Sequence, residues 1–118
     1  MNLFRLRLIT LTLLLIWPNL GLAQLQLLMF EQPGCSYCAQ WTREIGPIYP
    51  KTTEGESAPL QKIDIHAPLP AGLNLRSTPI FTPTFVLLNN KTEVGRIEGY
   101  PGQDFFWGLL GQLIAKTK

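Results

Sequence analysis

The stretch LQLLMFEQPGCSYC, residues 25–38, decides how this chain folds. Its first six residues are mostly apolar, which predicts a short buried strand. Pro33 and Gly34 then end that strand, because both residues are typical of turns. A helix is expected to begin close to Cys35, since apolar residues recur three or four positions apart from there to Ile48. The sequence therefore predicts a strand, a tight turn and a helix that starts at a cysteine.

Cys35 and Cys38 are the only cysteines of the chain. A disulfide between them would close too short a loop to stabilise the fold much, which favours a reactive pair over a structural bridge. At a helix start the first sulfur lies among unpaired backbone N–H groups, so the pKa of its thiol should fall below the free value of about 8.5. This geometry predicts Cys35 as the nucleophile and Cys38 as the thiol that resolves the mixed disulfide.

A metal site is not expected in this chain. Zinc would need two further cysteine or histidine ligands, and only His66 is present. The prediction is therefore no metal and no cofactor. One alternative stays open, a non-catalytic module that binds Cu(I) through two thiolates, because soft sulfur ligands suit Cu(I).

Residues 1–23 have the features of a secretory signal peptide. Arg5 and Arg7 precede a long apolar stretch, and small residues lead up to Ala23. Cleavage there would release residues 24–118 into the periplasm. An uncleaved membrane anchor is the alternative, but proline, asparagine and glutamine interrupt the roughly 20 apolar residues that a span requires.

The charge of the mature chain argues against nucleic acid as a partner. Removing Arg5 and Arg7 lowers the Lys and Arg count from 10 to 8, which equals the Asp and Glu count of 8. These charges are scattered, with no basic stripe that would bind a nucleic acid or a membrane surface. About 95 residues suffice for one small domain, which we expect to be a monomer without stable membrane insertion.

The rest of the chain predicts an α/β domain. The polar segment 51–57 is interpreted as a loop, and a short helix is expected around residues 71–75. The alternating and apolar runs predict three further strands, the last two joined by a hairpin turn at Asn89 to Lys91. A closing helix is expected where apolar residues share one helical face. These strands and the closing helix are expected at residues 60–65, 84–88, 93–98 and 103–115. The order is β-α-β-(short α)-β-β-α.

Three segments, at residues 30–38, 81–85 and 95–102, resemble the thioredoxin superfamily. Their sequences are similar to those of the small periplasmic thioredoxins associated with sulfur-oxidation systems, the Sox-type proteins. This resemblance covers the chain from about Leu25 to its end. It implies a thioredoxin-like fold, with a central mixed four-stranded sheet and helices on both faces.

The resemblance also implies roles for residues outside the cysteine pair. In that superfamily a Thr-Pro pair holds a cis proline that faces the active-site sulfurs, and Thr82-Pro83 stands in the matching place. The Thr82 backbone would then pair with an extended substrate strand, whereas the alternative is an ordinary trans proline at the start of an edge strand. Gly99 resembles the glycine that lets a partner approach, and Ser36 and Tyr37 are expected to bind the partner.

The sequence departs from the superfamily pattern below the second cysteine. Typical thioredoxins carry a buried acidic residue where this chain has Met29. Glu31 is expected nearer the surface, as a partial substitute, and Lys62 resembles the lysine that accompanies the acid or is a solvated strand-end residue. His66 and Trp41 are expected to be structural, since a lone histidine or a tryptophan on a helix face usually serves packing.

The predicted function is periplasmic thiol–disulfide exchange. The leading hypothesis is a reductase that takes electrons from a membrane thiol donor and reduces a disulfide on a partner protein. The resemblance implies that this partner is a sulfur carrier. Sequence does not decide the direction of electron flow, because the reduction potentials of such proteins vary widely. A disulfide oxidase or isomerase of exported proteins is therefore the alternative enzyme.

Overall fold

The computed structural model describes residues 24–118, so the expected signal peptide lies outside the described residues. In this range the four strands are β1 (Leu25–Glu31), β2 (Leu60–Asp64), β3 (Thr84–Asn89) and β4 (Thr92–Glu98). The helices are α1 (Ser36–Glu44), α2 (Thr53–Ser57) and α3 (Gln103–Ala115), with a 3₁₀ turn at Tyr49–Lys51. None of these helices has the length and apolar character to cross a membrane.

The strands form one mixed sheet in the order β2-β1-β3-β4. β1 pairs parallel to β2 and antiparallel to β3, and β3 pairs antiparallel to β4 in the expected hairpin. The ends of β1 and β2 therefore lie at the same edge of the sheet as the start of β3 and the end of β4. We call it the cysteine edge, because the turn that carries Cys35 leaves β1 there.

One face of the sheet, which we call the helix face, packs against α1 and α3. Trp41 of α1 lies between Phe85 of β3 and Phe106 of α3, with ring centroids 5.3 and 5.6 Å away. The apolar spacing that predicted both helices therefore matches the side that they bury. The buried residues that strands and helices contribute to this face are Leu27, Met29, Cys38, Trp41, Phe85, Leu87, Ile97, Phe106, Leu110 and Leu113.

The opposite face, which we call the coil face, is covered by chain without helices. Side chains alternate across a strand, so the residues between those of the helix face point here. They form a cluster of Leu28, Phe30, Ile63, Val86 and Leu88, against which Leu73 and Leu75 pack. The long segment between β2 and β3 thus supplies a few apolar side chains where a helix was expected.

The α/β class and the mixed four-stranded sheet are confirmed, but the helices described in residues 24–118 cover one face instead of the expected two, and the short helix was predicted in the wrong place. Residues 71–75 form a turn and an isolated bridge from Asn74 to Thr92, and no described helix covers the coil face. Nearby prolines and Gly72, whose φ is +82°, oppose a helix there. The short helix is instead α2, so interpreting residues 51–57 as a loop was wrong. The Thr52 side chain caps this helix by accepting the Gly55 N–H at 3.0 Å.

Candidate active site

A tight turn delivers Cys35 from the end of β1 to the start of α1. The Cys35 N–H donates to the Gln32 carbonyl oxygen at 3.3 Å, and Gly34 has a φ of +80°. Pro33 and Gly34 occupy the two central positions, as a type II turn favours, because only glycine adopts that φ without strain. The Pro-Gly pair of the sequence therefore fixes where the first sulfur stands.

Cys35 is the residue that caps α1. Its Sγ accepts the Cys38 backbone N–H at 3.2 Å, and the two cysteines are joined by a disulfide with their Cα atoms 5.2 Å apart. Cys35 is half-buried, whereas Cys38 is only 4% exposed. The sulfur at the helix start is thus the more accessible of the two, and an N–H donor points at it.

The floor beneath Cys38 is apolar. Met29 is fully buried and belongs to the same cluster as Cys38. A cleft of about 570 Å³ opens beside the disulfide and is lined in part by Glu31, Thr42 and Lys62. Lys62 Nζ donates to Thr42 Oγ1 at 2.8 Å and lies 3.7 Å from Glu31 Oε2. Lys62 is thus tied to this cleft, and polar groups stand at its wall rather than under the sulfur.

The segment before β3 brings a second part of the site to the cysteine edge. The Thr82–Pro83 peptide bond is cis. The Gly99 N–H donates to the Pro83 carbonyl oxygen at 2.7 Å, so the end of β4 lies against the same segment. Gly99 has a φ of +86°, and a Cβ built on it would meet no atom within 4 Å. Open space therefore stands beside Gly99.

Exposed apolar side chains occur on both parts of the site. Tyr37 is 59% exposed between the cysteines, next to the exposed Ser36. Ile80 and Phe81, just before Thr82, are 76% and 58% exposed. Sequence reasoning did not single out Ile80, although an isoleucine between turn residues and a Thr-Pro pair was a signal that could have been used.

Gln32 and His66 form a polar link that sequence reasoning missed. Gln32 Nε2 donates to Thr82 Oγ1 at 2.9 Å, and His66 Nε2 lies 3.0 Å from Gln32 Oε1. The His66 side chain is exposed and therefore does not pack in the core. Trp41, by contrast, is fully buried as expected. These two hydrogen bonds join residues that lie 34 and 50 positions apart in the chain, so no local sequence pattern predicts them.

The loop after Gly99 is anchored to the far end of α1. The Tyr100 hydroxyl donates to Glu44 Oε2 at 2.9 Å. Hydrogen bonds from Gln40 and from Tyr100 hold the pKa of the Glu44 carboxyl below its ordinary value. Burial, together with the Glu44 carboxylate, raises the pKa of Tyr100 to about 12. The bond therefore joins a neutral phenol to a carboxylate and keeps the end of β4 beside the cysteine helix.

No group of three His, Cys, Asp or Glu side chains within residues 24–118 could hold a metal ion.

No protein-family model and no curated protein matches this chain. Among solved structures, the reduced form of the periplasmic thioredoxin SoxS from Paracoccus pantotrophus is 56% identical, with a TM-score of 0.78. That match covers 80% of this chain and 99% of SoxS. The thioredoxin Mala s 13 from Malassezia sympodialis is 17% identical, with a TM-score of 0.51 over 76% of this chain and 75% of its own, and supports the fold alone.

Proposed function

Because the chain belongs to the thioredoxin superfamily and is a periplasmic thiol–disulfide oxidoreductase, we propose that it reduces a disulfide on an exported sulfur-handling protein. The observation that carries this proposal is the 56% identity to a periplasmic Sox-type thioredoxin over nearly all of that protein. The cysteine geometry supports the roles of the individual residues.

The proposed reaction begins with both cysteines reduced. The Cys35 thiolate attacks one sulfur of the partner disulfide, which forms a mixed disulfide and releases the other partner sulfur as a thiolate. The Cys38 thiol then loses its proton and attacks Cys35 Sγ, which releases the second partner sulfur. Two electrons pass to the partner, and the Cys35–Cys38 disulfide remains.

The accessibility of the two sulfurs supports this division of roles. Cys35 is half-buried at the helix start, where the Cys38 N–H at 3.2 Å can stabilise a thiolate. Cys38 is shielded above Met29, so a partner reaches Cys35 first. Met29 has no group that could accept the proton of Cys38, so we propose that this proton leaves through water in the adjoining cleft.

The partner is proposed to dock along the cysteine edge. Tyr37, between the two cysteines, and Phe81, just before Thr82, are exposed and offer apolar contact to a partner. In the proposed mode, the Thr82 backbone pairs with an extended partner strand beside Pro83, and the open space at Gly99 admits its main chain. Ser36 borders the same surface.

Turnover requires a dithiol donor that converts the disulfide back to two thiols. We propose a membrane thiol donor, with the signal peptide delivering the protein to its side of the membrane. The protein acts as a monomer in this proposal, since one chain carries both cysteines and the Thr82-Pro83 segment.

A Cys38→Ser variant tests the reaction and identifies the partner together. Cys35 can still attack, but nothing resolves the mixed disulfide, so a covalent complex should accumulate. In the native host grown on reduced sulfur, we expect a trapped exported sulfur-handling protein that dithiothreitol releases and mass spectrometry identifies. A Cys35→Ser, Cys38→Ser double variant is the control and should trap nothing.

Other trapped species would point elsewhere. Recovery of unrelated secreted proteins with several disulfides would favour the oxidase or isomerase function. A trap that recovers nothing, with copper bound to the wild-type protein, would favour the Cu(I) module.

Alkylation of the reduced protein tests the assignment of the nucleophile. Cys35 should react with iodoacetamide faster than Cys38 at mildly acidic pH, because a more accessible and more acidic thiol reacts first. Peptide mapping after a short pulse measures both rates. Equal rates, or a faster Cys38, would reverse the assignment.

A further inference from the structure

Gln32 joins three segments that are distant in the chain. Its carbonyl oxygen accepts the Cys35 N–H in the turn before α1. Its amide Nε2 donates to Thr82 Oγ1 at 2.9 Å, and its Oε1 lies 3.0 Å from His66 Nε2. We propose that Gln32 is a positioning residue that holds Thr82 in register with Cys35 and so sets how a protein substrate presents its disulfide.

His66 gives the Gln32 amide its direction. The Thr82 hydroxyl can donate or accept, so on its own it does not select which amide atom faces it. Gln32 Oε1 can only accept, so its contact with His66 Nε2 is a hydrogen bond in the tautomer that carries the hydrogen on this ring nitrogen. That tautomer directs the Gln32 Nε2 toward Thr82. His66 is itself held by its backbone N–H, which donates to Asp64 Oδ1 at 2.8 Å. The link therefore runs from the end of β2 to the segment before β3.

The segment that contains Thr82 needs such a link. It lies before the first residue of β3, in chain without regular structure, and carries the exposed Ile80 and Phe81. The Thr84 hydroxyl donates to the Phe81 carbonyl oxygen at 2.6 Å, which holds the segment at its β3 side. The bond from Gln32 holds it against the cysteine turn. Docking a partner onto a segment already in place costs less ordering entropy.

This role predicts that losing the Gln32 bond affects the reduction of protein disulfides but not of small disulfides. The inference rests on the proposed pairing of a partner strand with Thr82. A protein disulfide that uses this pairing should bind less well when the Gln32 bond is lost. A small disulfide contacts the sulfurs without a strand, so its reduction should not change. The intrinsic reactivity of Cys35 should not change either.

The test compares wild type and Gln32→Leu, which keeps the side chain's bulk without its polar atoms. With insulin as the protein disulfide, we expect KM to rise about three- to tenfold, the range of one net hydrogen bond, while kcat is unchanged. Reduction of hydroxyethyl disulfide and alkylation of Cys35 should proceed at wild-type rates. An unchanged KM for insulin, or an equal loss on both disulfides, would overturn the proposal.

Further variants separate positioning from a general loss of structure. Gln32→Glu keeps an acceptor for His66, and its second oxygen can accept from the Thr82 hydroxyl, so it should restore the insulin KM. Thr82→Val should raise that KM as Gln32→Leu does. The double variant should be no worse than either single variant, since both remove the same bond between Gln32 and Thr82. Additive losses, or no rescue by Gln32→Glu, would overturn the proposal. If Gln32→Leu does not fold, Thr82→Val and His66→Phe give the same comparison.

Insulin and hydroxyethyl disulfide also keep this inference distinct from the proposed function. Neither depends on the physiological partner, so a failed trap in the native host leaves the KM comparison intact. If Cys35→Ser still reduced insulin, the proposed chemistry would fail, whatever the Gln32 variants show.

Discussion

On the helix face, Trp41, Phe85 and Phe106 pack ring against ring and are fully buried. On the coil face, the half-buried Leu73 and Leu75 cover the sheet, in a segment that runs on into the Thr82-Pro83 part of the site. The first cover is built from two helices with many apolar contacts. The second is irregular chain held at separate points by polar bonds. We infer that the helix face supplies most of the stability. The chain between β2 and β3, which we call the coil segment, positions the Thr82-Pro83 part of the site.

The polar bonds of the coil face centre on Glu93. Its carboxylate accepts from Arg96 Nη2 at 2.6 Å and Nε at 2.8 Å, and from the Arg76 N–H at 3.0 Å. The Arg96 guanidinium also reaches the Ser77 carbonyl oxygen. Hydrogen bonds from Arg96 are the main cause that holds the pKa of Glu93 below its ordinary value. This cluster ties the coil segment to β4.

The largest effect is expected from truncating one apolar side chain on each face. Phe106→Ala should lower the free energy of unfolding by about 3–5 kcal/mol, because a buried aromatic leaves a cavity. Leu73→Ala should cost about 1–2 kcal/mol, since less of its surface is buried. Urea unfolding of the disulfide form measures both changes. Equal losses of stability would mean that the coil segment stabilises the sheet as much as the helices do.

Removing the charge of Glu93 tests the polar anchor of the coil. Glu93→Gln should cost about 1.5–3 kcal/mol at neutral pH, the range for hydrogen bonds to charged groups. Because the folded-state pKa of Glu93 is lowered, its contribution is complete above the unfolded value of about 4.3 and disappears as pH falls through the lower folded value. The variant should therefore lose less stability on acidification than wild type.

Glu98→Gln is the matched control for Glu93, since Glu98 is an exposed carboxylate on the same strand. It should change stability by no more than about 0.5 kcal/mol. Urea unfolding over a range of acidic pH gives both comparisons. A Glu93→Gln variant with the same pH slope as wild type would contradict the assignment.

Two glycines with similar backbone conformations, one in the site and one in the coil segment, distinguish an effect on docking from an effect on stability. Gly99 and Gly72 have φ values of +86° and +82°, so alanine at either should cost about 1–2 kcal/mol of stability. Gly99→Ala should also reduce kcat/KM for insulin about tenfold, because its methyl group enters the space proposed for the partner. Gly72→Ala should leave kcat/KM unchanged. If the two variants had the same activity, Gly99 would have no part in docking.

The smallest effect is expected from raising the helix propensity of one position in α3. A Cβ at Gly108 would meet no atom within 4 Å, so Gly108→Ala should raise stability by about 0.5–1 kcal/mol through helix propensity. Gly55→Ala in α2 is the contrasting control, because its Cβ would overlap the Tyr49 carbonyl oxygen. That variant should lose stability. A loss at Gly108 would show that α3 is less regular than described.

The sequence by itself determined the elements whose signals are local. The apolar run of β1, the Pro-Gly turn and the cysteine pair predicted the start of the site, and the helix at residues 103–115 has the expected bounds. Helical spacing also identified Trp41 as a buried residue. These predictions succeeded because periodicity and turn chemistry act over a few neighbouring residues.

Only the tertiary structure decided how the coil face is covered and how the site is linked. Leu73 and Leu75 lie two positions apart, a spacing that fits extended chain, yet the segment was interpreted as a short helix. An irregularity between Leu87 and Leu88 shifts the β3–β4 register, which brings Glu93 to the same face as Arg96. The link from His66 through Gln32 to Thr82 is likewise a contact between distant segments. Such contacts depend on where the sheet brings separate strand ends together, and no local pattern records that.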